Sequence, residues 1–351
     1  RAQQSVVVFA DQTLGSIKAP HFVMMVREYL NETFGEDAMM TSGFKVLTTL
    51  DAKLQQIAET AVSEGALRNT KLYQGENAAL VAQDSNTGQI LALVGSRGYF
   101  ASSSPAGCVS GTTCQFEGNF NVAAQGLRQP GSSFKPFAYI TAFQKGYIPE
   151  SVLFDLPTEF SSYRDKCPLV NINFQAESDP LCFHPENYDK AFRGPVTLRN
   201  GLAQSLNIPS VKVLYLANLQ DTIINARTFG ISTLQDPNRY GLSLVLGGGE
   251  VTLLDMVGAY SVFAEEGLKR AQSFILEIRD SRGEALEKYT DRATQVIDPQ
   301  YPRLLNDVLS DTEERAGLFH ASLGLTLFPD REVALKTGTT NDYRDAWTIG
   351  Y

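Results

Sequence analysis

The chain has 351 residues, 43% of them apolar and 20% charged, which predicts a folded protein with a sizeable core rather than a disordered chain. A formal charge of −9 argues against the basic face that nucleic-acid phosphates require, so no nucleic acid partner is expected. No apolar run approaches the ~20 residues of a membrane span.

The N-terminal part is predicted to be a small mixed α and β pedestal. Residues 21–34 have apolar positions at helical spacing, and Gly35 follows as a stop. Residues 44–50 are typical of a strand, and Asp51 is placed to cap the helix that begins "DAKLQQIAETAV". We expect this region to cover residues 1–75.

A β-hairpin is predicted next. The apolar runs "NAALVAQD" and "QILALVGS" flank "SNTG", whose glycine suits the positive φ of a tight turn. From residue 101 to residue 118 the chain is rich in serine, glycine and threonine, which indicates a long surface loop.

Four cysteines lie in two groups, Cys108 with Cys114 and Cys167 with Cys182, and none has the C-x-x-C spacing. Two local disulfides in an oxidising compartment are the preferred interpretation, with four unpaired cytosolic thiols as the alternative. Sequence alone leaves three connectivities open. The three histidines are scattered, so we expect no metal site.

The remainder is predicted to be mostly helical, with an interruption at "DSRGEALEK". The charged stretch "DTEER" at 311–315 is interpreted as a solvated helix surface. The end of the chain, "EVALKTGTTNDYRDAWTIGY", is typical of two strands joined by an Asn-Asp turn.

A Ser-x-x-Lys motif opens one of the predicted helices, in "RQPGSSFKPFAYITAFQKG". Gly131 allows the backbone to turn, and Pro136 is tolerated in the first helical turn. Ser132 and Lys135 are three residues apart, so both side chains lie on one helix face, whereas Ser133 points elsewhere. Ser132 is therefore the serine within reach of Lys135.

This pair would suit nucleophilic catalysis on one condition. A serine hydroxyl needs a neighbouring base, and Lys135 can be that base only if it is largely neutral. Burial and a second nearby cation would both lower the pKa of Lys135. Free N–H groups at the helix start also favour developing negative charge near Ser132.

Taken alone, Ser-x-x-Lys is compatible with a capping serine and a solvated lysine, and a second copy at Ser42 and Lys45 runs into a strand. Two further motifs follow in order: Ser-x-Asn at Ser205 and Asn207, and Lys-Thr-Gly from Lys336 to Gly338. Separately these could be a polar helix end and an exposed strand end. The ordered set of three favours catalysis.

These motifs resemble the transpeptidase domain of class A (bifunctional) penicillin-binding proteins. The similarity extends to "FKVLTTLDAKLQQIAE", "NTGQILALVGS" and "PENYDKAFRGPVTLRNGLAQSLNIPSVKVL". It implies an α+β fold of the penicillin-binding and serine β-lactamase type, an antiparallel sheet flanked by helices plus an all-helical subdomain. The transpeptidase domain would cover residues 76–351 and lack a C-terminal strand and helix. Residues 1–75 would be the linker and pedestal after a glycosyltransferase domain absent from this sequence.

The resemblance implies a D,D-transpeptidase that cross-links peptidoglycan stem peptides without a cofactor. Ser132 would form an ester on D-Ala-D-Ala, Lys135 would take its proton, and Ser205 would relay protons between Lys135 and Lys336. Substrate binding would fall to Asn207, Thr337, Gly338 and Thr339. The backbone N–H groups of Ser132 and Thr339 would form the oxyanion hole. β-Lactams would acylate Ser132.

The resemblance also implies an extracytoplasmic location, with the full-length protein anchored in the membrane by an N-terminal segment upstream of this sequence. Two alternatives stay open. A β-lactamase or D,D-carboxypeptidase would pass the same ester to water, although the E-x-x-x-N pattern of class A β-lactamases does not occur between Asn207 and Lys336. A non-catalytic β-lactam or peptidoglycan receptor would use Ser132 only to be acylated.

Overall fold

The computed structural model of the protein describes residues 17–161, 167, 182–340 and 343–351. The elements of its first part are α1 (Pro20–Phe34), α2 (Glu36–Thr41), β1 (Lys45–Thr48), α3 (Ala52–Tyr73), β2 (Leu80–Gln83), β3 (Ile90–Val94) and α4 (Val122–Gln125). The middle contains α5 (Lys135–Gln144), β4 (Val152–Asp155), β5 (Gly194–Thr197), α6 (Leu198–Ala203), α7 (Asn207–Ala217), α8 (Leu219–Phe229) and α9 (Leu253–Ala264). The last part contains β6 (Leu268–Arg270), β7 (Ile275–Arg279), β8 (Ala285–Lys288), β9 (Ala293–Gln295), α10 (Gln300–Ser310), α11 (Thr312–Phe319), β10 (Leu335–Thr339) and β11 (Ala346–Gly350).

Among the described residues, no helix combines the length and the apolar character needed to cross a membrane.

The N-terminal elements form where the sequence predicts them. Gly35 follows α1 with φ +82°, a backbone conformation that favours glycine. The Asp51 side chain accepts hydrogen bonds from the N–H groups of Lys53 and Leu54, both at 2.9 Å, and so caps α3. The predicted hairpin is also present, because β2 pairs with β3 and Gly88 has φ +75° in the turn.

The first compact unit comprises the described residues up to Ala82, Ile90–Gln125 and Ser273–Tyr289. Its three-stranded antiparallel sheet has the order β1, β7, β8, with Lys45 opposite Arg279. A small core forms where α3 meets β3. This unit thus joins segments that are far apart along the chain, and the predicted division between residues 75 and 76 stays a prediction.

The second compact unit comprises Gln83–Gln89, Gly126–Gln272 and Thr290–Tyr351. Its centre is α5, which is buried from Lys135 to Phe143 because the helix is apolar on all faces. The Phe137 ring lies 5.5 Å from that of Phe263 in α9, measured between ring centroids. Strands β10 and β11 form an antiparallel pair in the same unit.

The predicted helical stretch was partly wrong. After α9 the chain forms β6 to β9, and "DSRGEALEK" supplies a turn followed by β8. These strands have three to five residues, and β6, β7 and β8 carry charged side chains while β9 is Ala-Thr-Gln, so they lack the long apolar runs that indicate strands. The predicted C-terminal strand pair is confirmed, but the Asn-Asp turn at 341–342 lies outside the described residues.

The prediction of two local disulfides is confirmed. Cys108 is bonded to Cys114, and Cys167 is bonded to Cys182. The first disulfide lies in the predicted surface loop, where a single antiparallel bridge also joins Ser104 to Phe116. The loop is therefore cross-linked covalently and by main-chain hydrogen bonds.

Candidate active site

The predicted nucleophile lies in a tight turn directly before α5. Residues Gly131–Phe134 form one turn of 3-10 helix, and Gly131 has φ +54°. A Cβ atom at Gly131 would lie 2.5 Å from the Thr339 carbonyl oxygen, so only glycine fits between this turn and β10. The turn therefore brings Ser132 close to the Lys-Thr-Gly strand.

The two serines of this turn have different environments. Ser133 is fully buried, its hydroxyl donates to the Pro130 carbonyl at 2.6 Å, and its own carbonyl accepts from the Tyr260 hydroxyl at 2.6 Å. Ser132 is partly exposed, and its side chain makes no hydrogen bond to any residue that the structure describes. The Ser133 hydroxyl and carbonyl are thus both used in buried hydrogen bonds, whereas the Ser132 hydroxyl has no partner among the described residues.

Lys135 is completely buried and points toward the Ser-x-Asn motif. Its Nζ donates to the Ser205 carbonyl at 2.6 Å and to Asn207 Oδ1 at 2.8 Å, with longer contacts at 3.2 Å to Ser205 Oγ and the Leu206 carbonyl. The predicted contact between Lys135 and Ser132 is not formed in this state. Catalytic hydrogen bonds are often long or absent until substrate binds.

Burial lowers the pKa of Lys135 well below its usual value, and the positive charge of Lys336 lowers it further. A charged ammonium loses its hydration on burial, and a neighbouring cation repels it. Both effects favour the neutral amine. These are the two causes that the sequence analysis required for a lysine base.

Ser205 occupies a junction between two helices. It follows α6, which begins with a capping box formed by Thr197 and Asn200, and it precedes α7. The Ser205 backbone is left-handed, with φ +58°, a conformation that is strained for a residue with a side chain. The turn directs the Ser205 carbonyl and Oγ to Lys135, as the hydrogen bonds above show.

Asn207 is held by an amide network that sequence reasoning missed. Its backbone N–H donates to Asn187 Oδ1 at 2.8 Å, and its Nδ2 donates to the Glu186 carbonyl at 2.7 Å. Asn187 Nδ2 donates in turn to both oxygens of the buried Asp155, each at 2.9 Å. The Asn207 amide thus fixes Lys135, and one Nδ2 hydrogen stays available. The string "PENYDKAF" contains Glu186 and Asn187, but no local pattern links it to Asp155.

Lys336 approaches Ser205 from β10. Its Nζ donates to Ser205 Oγ at 2.9 Å and to the Thr337 carbonyl at 2.9 Å, and the residue is 3% exposed. Burial lowers the pKa of Lys336 to about 7, with a further contribution from the Arg315 cation. Ser205 Oγ therefore lies within hydrogen-bond distance of both lysines.

The free edge of β10 presents two backbone N–H groups. In the antiparallel ladder with β11, Ala334 and Tyr351 exchange both main-chain hydrogen bonds, and the Thr340 N–H donates to the Asp345 carbonyl. Because such pairs alternate along an antiparallel ladder, the N–H groups of Thr337 and Thr339 point away from β11. They are the main-chain donors of this edge.

Gly338 lies where β10 passes close to the turn that carries Ser132. A Cβ at Gly338 would lie 2.2 Å from the Pro130 carbonyl oxygen, so this position requires glycine. A Cβ at Gly247 would likewise lie 2.2 Å from the backbone nitrogen of Gly131. The turn that carries Ser132 thus contacts its neighbours on both sides through backbone atoms.

The interpretation of "DTEER" as solvated helix surface is wrong for Arg315. This residue is 5% exposed, donates a hydrogen bond to the Leu309 carbonyl, and acts electrostatically on Lys336.

The other copy of Ser-x-x-Lys behaves as expected, because Ser42 follows α2 and Lys45 lies in β1. Their side chains therefore do not share a helix face.

Comparison with known proteins identifies relatives. The family profile described as the penicillin binding protein transpeptidase domain matches residues 78–351. Penicillin-binding protein 1A of Neisseria flavescens is 32% identical over 285 residues, which cover 80% of this chain and 31% of that protein. Penicillin-binding protein 1A of Rickettsia conorii is 31% identical over 329 residues, covering 88% and 37%. The chain spans about a third of the length of these curated relatives.

Solved structures resemble the chain as well. Penicillin-binding protein 1A from Haemophilus influenzae aligns with a TM-score of 0.75 and 22% identity, covering 99% of this chain and 65% of that chain. The PonA1 protein from Mycobacterium tuberculosis in complex with penicillin V aligns with a TM-score of 0.68 and 23% identity, covering 95% and 82%. At these identities the likeness concerns the fold, and it confirms the predicted α+β transpeptidase fold.

Proposed function

Since the chain belongs to the penicillin-binding-protein transpeptidase family, we propose that it is a D,D-transpeptidase that cross-links peptidoglycan stem peptides. Ser132 Oγ attacks the carbonyl between two terminal D-alanines, the C–N bond breaks, and the last D-alanine leaves as an amine. The resulting ester is then attacked by an amine of a neighbouring stem, which restores Ser132. One observation carries the proposal: both buried lysines bond the Ser205 hydroxyl beside the turn that holds a free Ser132 hydroxyl.

Lys135 is the proposed base for Ser132. Its lowered pKa favours the neutral amine, which has a lone pair to accept the serine proton. The Nζ atom now donates to oxygens of Ser205 and Asn207, so a change in the side-chain torsions of Lys135 must bring it to Ser132 Oγ. Substrate binding near Asn207 would favour that change by competing for the Asn207 amide.

Ser205 is the proposed proton relay. Its Oγ lies within hydrogen-bond distance of both Lys135 and Lys336, so a proton taken from Ser132 has a path toward the leaving nitrogen. Lys336 and the hydroxyls of Thr337 and Thr339 are proposed to attract the terminal carboxylate of the donor peptide. Gly338 and Asn207 complete the proposed binding edge.

The oxyanion of the tetrahedral intermediate is proposed to bind the backbone N–H groups of Ser132 and Thr339. The Thr339 N–H points away from β11, and Gly131 brings the Ser132 turn into contact with the Thr339 backbone. Main-chain donors held in this way are pre-oriented, so they stabilise developing charge without reorganisation.

The wider context is also proposed. Residues 76–351 would be the transpeptidase domain, and residues 1–75 the linker and pedestal that follow a glycosyltransferase domain. The protein would act outside the cytoplasm, a location with which the two disulfides agree. A membrane anchor would lie upstream of this sequence. β-Lactams are the expected inhibitors, since they would acylate Ser132 as mimics of D-Ala-D-Ala.

The intact mass of the protein with benzylpenicillin over time tests this function, beside the Ser132→Ala variant. A lasting adduct of one benzylpenicillin on the unmodified chain and none on Ser132→Ala is the expected result. An adduct that clears quickly would indicate a hydrolase instead. Lasting acylation without transfer to any added D-amino acid or stem-peptide amine would indicate a receptor, and no adduct would contradict the proposal.

A further inference from the structure

A disulfide lies against a carboxylate in the second compact unit, and neither group belongs to the proposed catalytic set. A carboxylate oxygen of Glu159 and the sulfurs of Cys167 and Cys182 all lie within 4.8 Å of one another. The Glu159 side chain is 8% exposed, Cys167 is buried, and Cys182 is partly buried. The disulfide and the carboxylate thus form one largely buried cluster.

The Glu159 carboxylate holds the residues that follow the disulfide. Its Oε1 accepts hydrogen bonds from the backbone N–H groups of Phe183 at 2.7 Å and Ser161 at 2.8 Å. Its Oε2 lies 2.9 Å from His184 Nδ1. The Phe160 N–H also donates to the Phe183 carbonyl at 2.8 Å. Two segments of the chain are therefore joined here by both side-chain and main-chain hydrogen bonds.

The segment after the disulfide then contacts the Ser-x-Asn motif. The Glu186 carbonyl accepts a hydrogen bond from Asn207 Nδ2 at 2.7 Å, and Asn187 Oδ1 accepts one from the Asn207 N–H at 2.8 Å. Asn207 Oδ1 accepts in turn from Lys135 Nζ at 2.8 Å. A continuous series of covalent bonds and hydrogen bonds thus leads from the disulfide to the proposed base.

This segment is held at two points. Asp155 accepts hydrogen bonds from the Asn187 amide at one end, and the disulfide together with Glu159 holds the other end. The two cysteines are 15 residues apart in the sequence, so the S–S bond closes a long connection. Closing such a connection costs chain entropy, which the covalent bond has already offset. Without the bond, hydrogen bonds alone would hold this end of the segment.

Building on the proposed function, we propose that the Cys167–Cys182 disulfide and Glu159 are positioning groups of the active site, so that acylation of Ser132 depends on the redox state of the disulfide. Reduction by a dithiol breaks the S–S bond and leaves two protein thiols. The dithiol supplies the two electrons and two protons and closes to its own disulfide. The Asn207 amide then loses its fixed orientation toward Lys135, and a less well oriented base slows acylation.

The test follows acylation by saturating benzylpenicillin with intact mass, which gives both the rate constant and the final extent. Reduction with dithiothreitol, which is removed before the reaction, and the double variant Cys167→Ser/Cys182→Ser should each lower the rate constant about 10-fold, the effect of one misplaced hydrogen bond. The final extent should not change, and reoxidation should restore the rate. A disulfide that only stabilises the fold would lower the extent and leave the rate constant unchanged.

Two matched controls separate this cluster from the rest of the chain. Cys108→Ser/Cys114→Ser removes the disulfide of the first compact unit and should be acylated at the unmodified rate until it is reduced. Glu159→Leu removes the carboxylate acceptors and should lower the rate constant several-fold, because the Phe183 N–H loses its partner. Glu64→Leu, at an exposed position on α3, should not change it.

An unchanged rate constant in the reduced protein would overturn the assignment. Slowing of Cys108→Ser/Cys114→Ser before reduction, equal to that of the other double variant, would indicate a general effect of disulfide loss and would overturn it as well. If Cys167→Ser/Cys182→Ser does not fold, the reduced protein and Glu159→Leu decide in its place. Failure of the oxidised, unmodified protein to be acylated would instead contradict the proposed function.

Discussion

Replacing Lys336 by methionine should change how stability depends on pH. The side chain is 3% exposed, and its pKa is lowered from 10.5 to about 7, mainly by burial. In the unfolded chain the lysine has an ordinary pKa, so between about pH 7 and pH 10 the unfolded state binds more protons than the folded state. Stability therefore rises with pH over this window, by about 1.4 kcal/mol per pH unit at most.

For a rise from about pH 6 to about pH 9, the two pKa values correspond to a gain of roughly 2.6 kcal/mol from this one group. Other groups titrate over the same range, so the informative quantity is the unfolding free energy of the unmodified protein minus that of Lys336→Met. We expect this difference to become more favourable to the unmodified protein by about 2 to 3 kcal/mol. Near pH 6 the variant should be the more stable of the two.

Urea unfolding followed by tryptophan fluorescence is a suitable assay. The single tryptophan, Trp347, lies in β11, and its Nε1 donates to the Gln129 carbonyl at 2.9 Å, so its signal reports the unit that contains Lys336. Lys53→Met is the control, because Lys53 is exposed on α3. A stability difference for Lys336→Met that does not change between the two pH values would refute the assignment of Lys336 as a buried lysine with a lowered pKa.

Three further predictions concern the same site. Gly338→Ala should lower stability by about 1 to 3 kcal/mol and slow acylation, because the added Cβ would overlap the Pro130 carbonyl. Thermal unfolding measures the loss of stability. A melting temperature equal to that of the unmodified protein would contradict this prediction. Asp155→Asn replaces a carboxylate that accepts two hydrogen bonds from the Asn187 amide, so urea unfolding should show a loss of about 1 to 3 kcal/mol. Acylation at a saturating β-lactam concentration should also be slower. Unchanged stability and an unchanged acylation rate would exclude this network as support for Lys135. Acylation should slow as the pH falls through the lowered pKa of Lys135, and a rate that stays constant down to pH 4 would exclude a lysine base.

The local structure around the proposed nucleophile could be predicted better than the contacts around it. The helix start could be predicted because Gly131 and Pro136 mark it and helical spacing is a local property, whereas the roles of Ser132 and Lys135 stay predictions. The hydrogen-bond partner of Lys135 could not be predicted from the sequence. The choice between Ser132 and Ser205 depends on side-chain torsions and on a turn 70 residues away.

The remaining differences have the same origin in long-range contacts. Pairing between β1 and β7 joins opposite parts of the chain, and neither strand indicates its partner. Arg315 lies in a stretch of charged residues, which favours solvent exposure on average, and only its tertiary packing buries it. The Asp155 to Asn187 contact likewise has no sequence pattern, since each residue alone is typical of a loop or a strand end.

Three close backbone contacts limit how this site can evolve. They join Gly131 to Gly247, Gly131 to the Thr339 backbone, and Gly338 to Pro130. The positions of the proposed oxyanion donors are fixed by contacts between backbone atoms. A rotamer change or a conservative substitution of a side chain therefore does not shift these donors. Selection for lower β-lactam reactivity would have to act elsewhere, on side chains that line the approach to Ser132. Under the proposed function, the binding of a β-lactam can diverge from that of the stem peptide where the two molecules differ in shape, away from the reacting carbonyl.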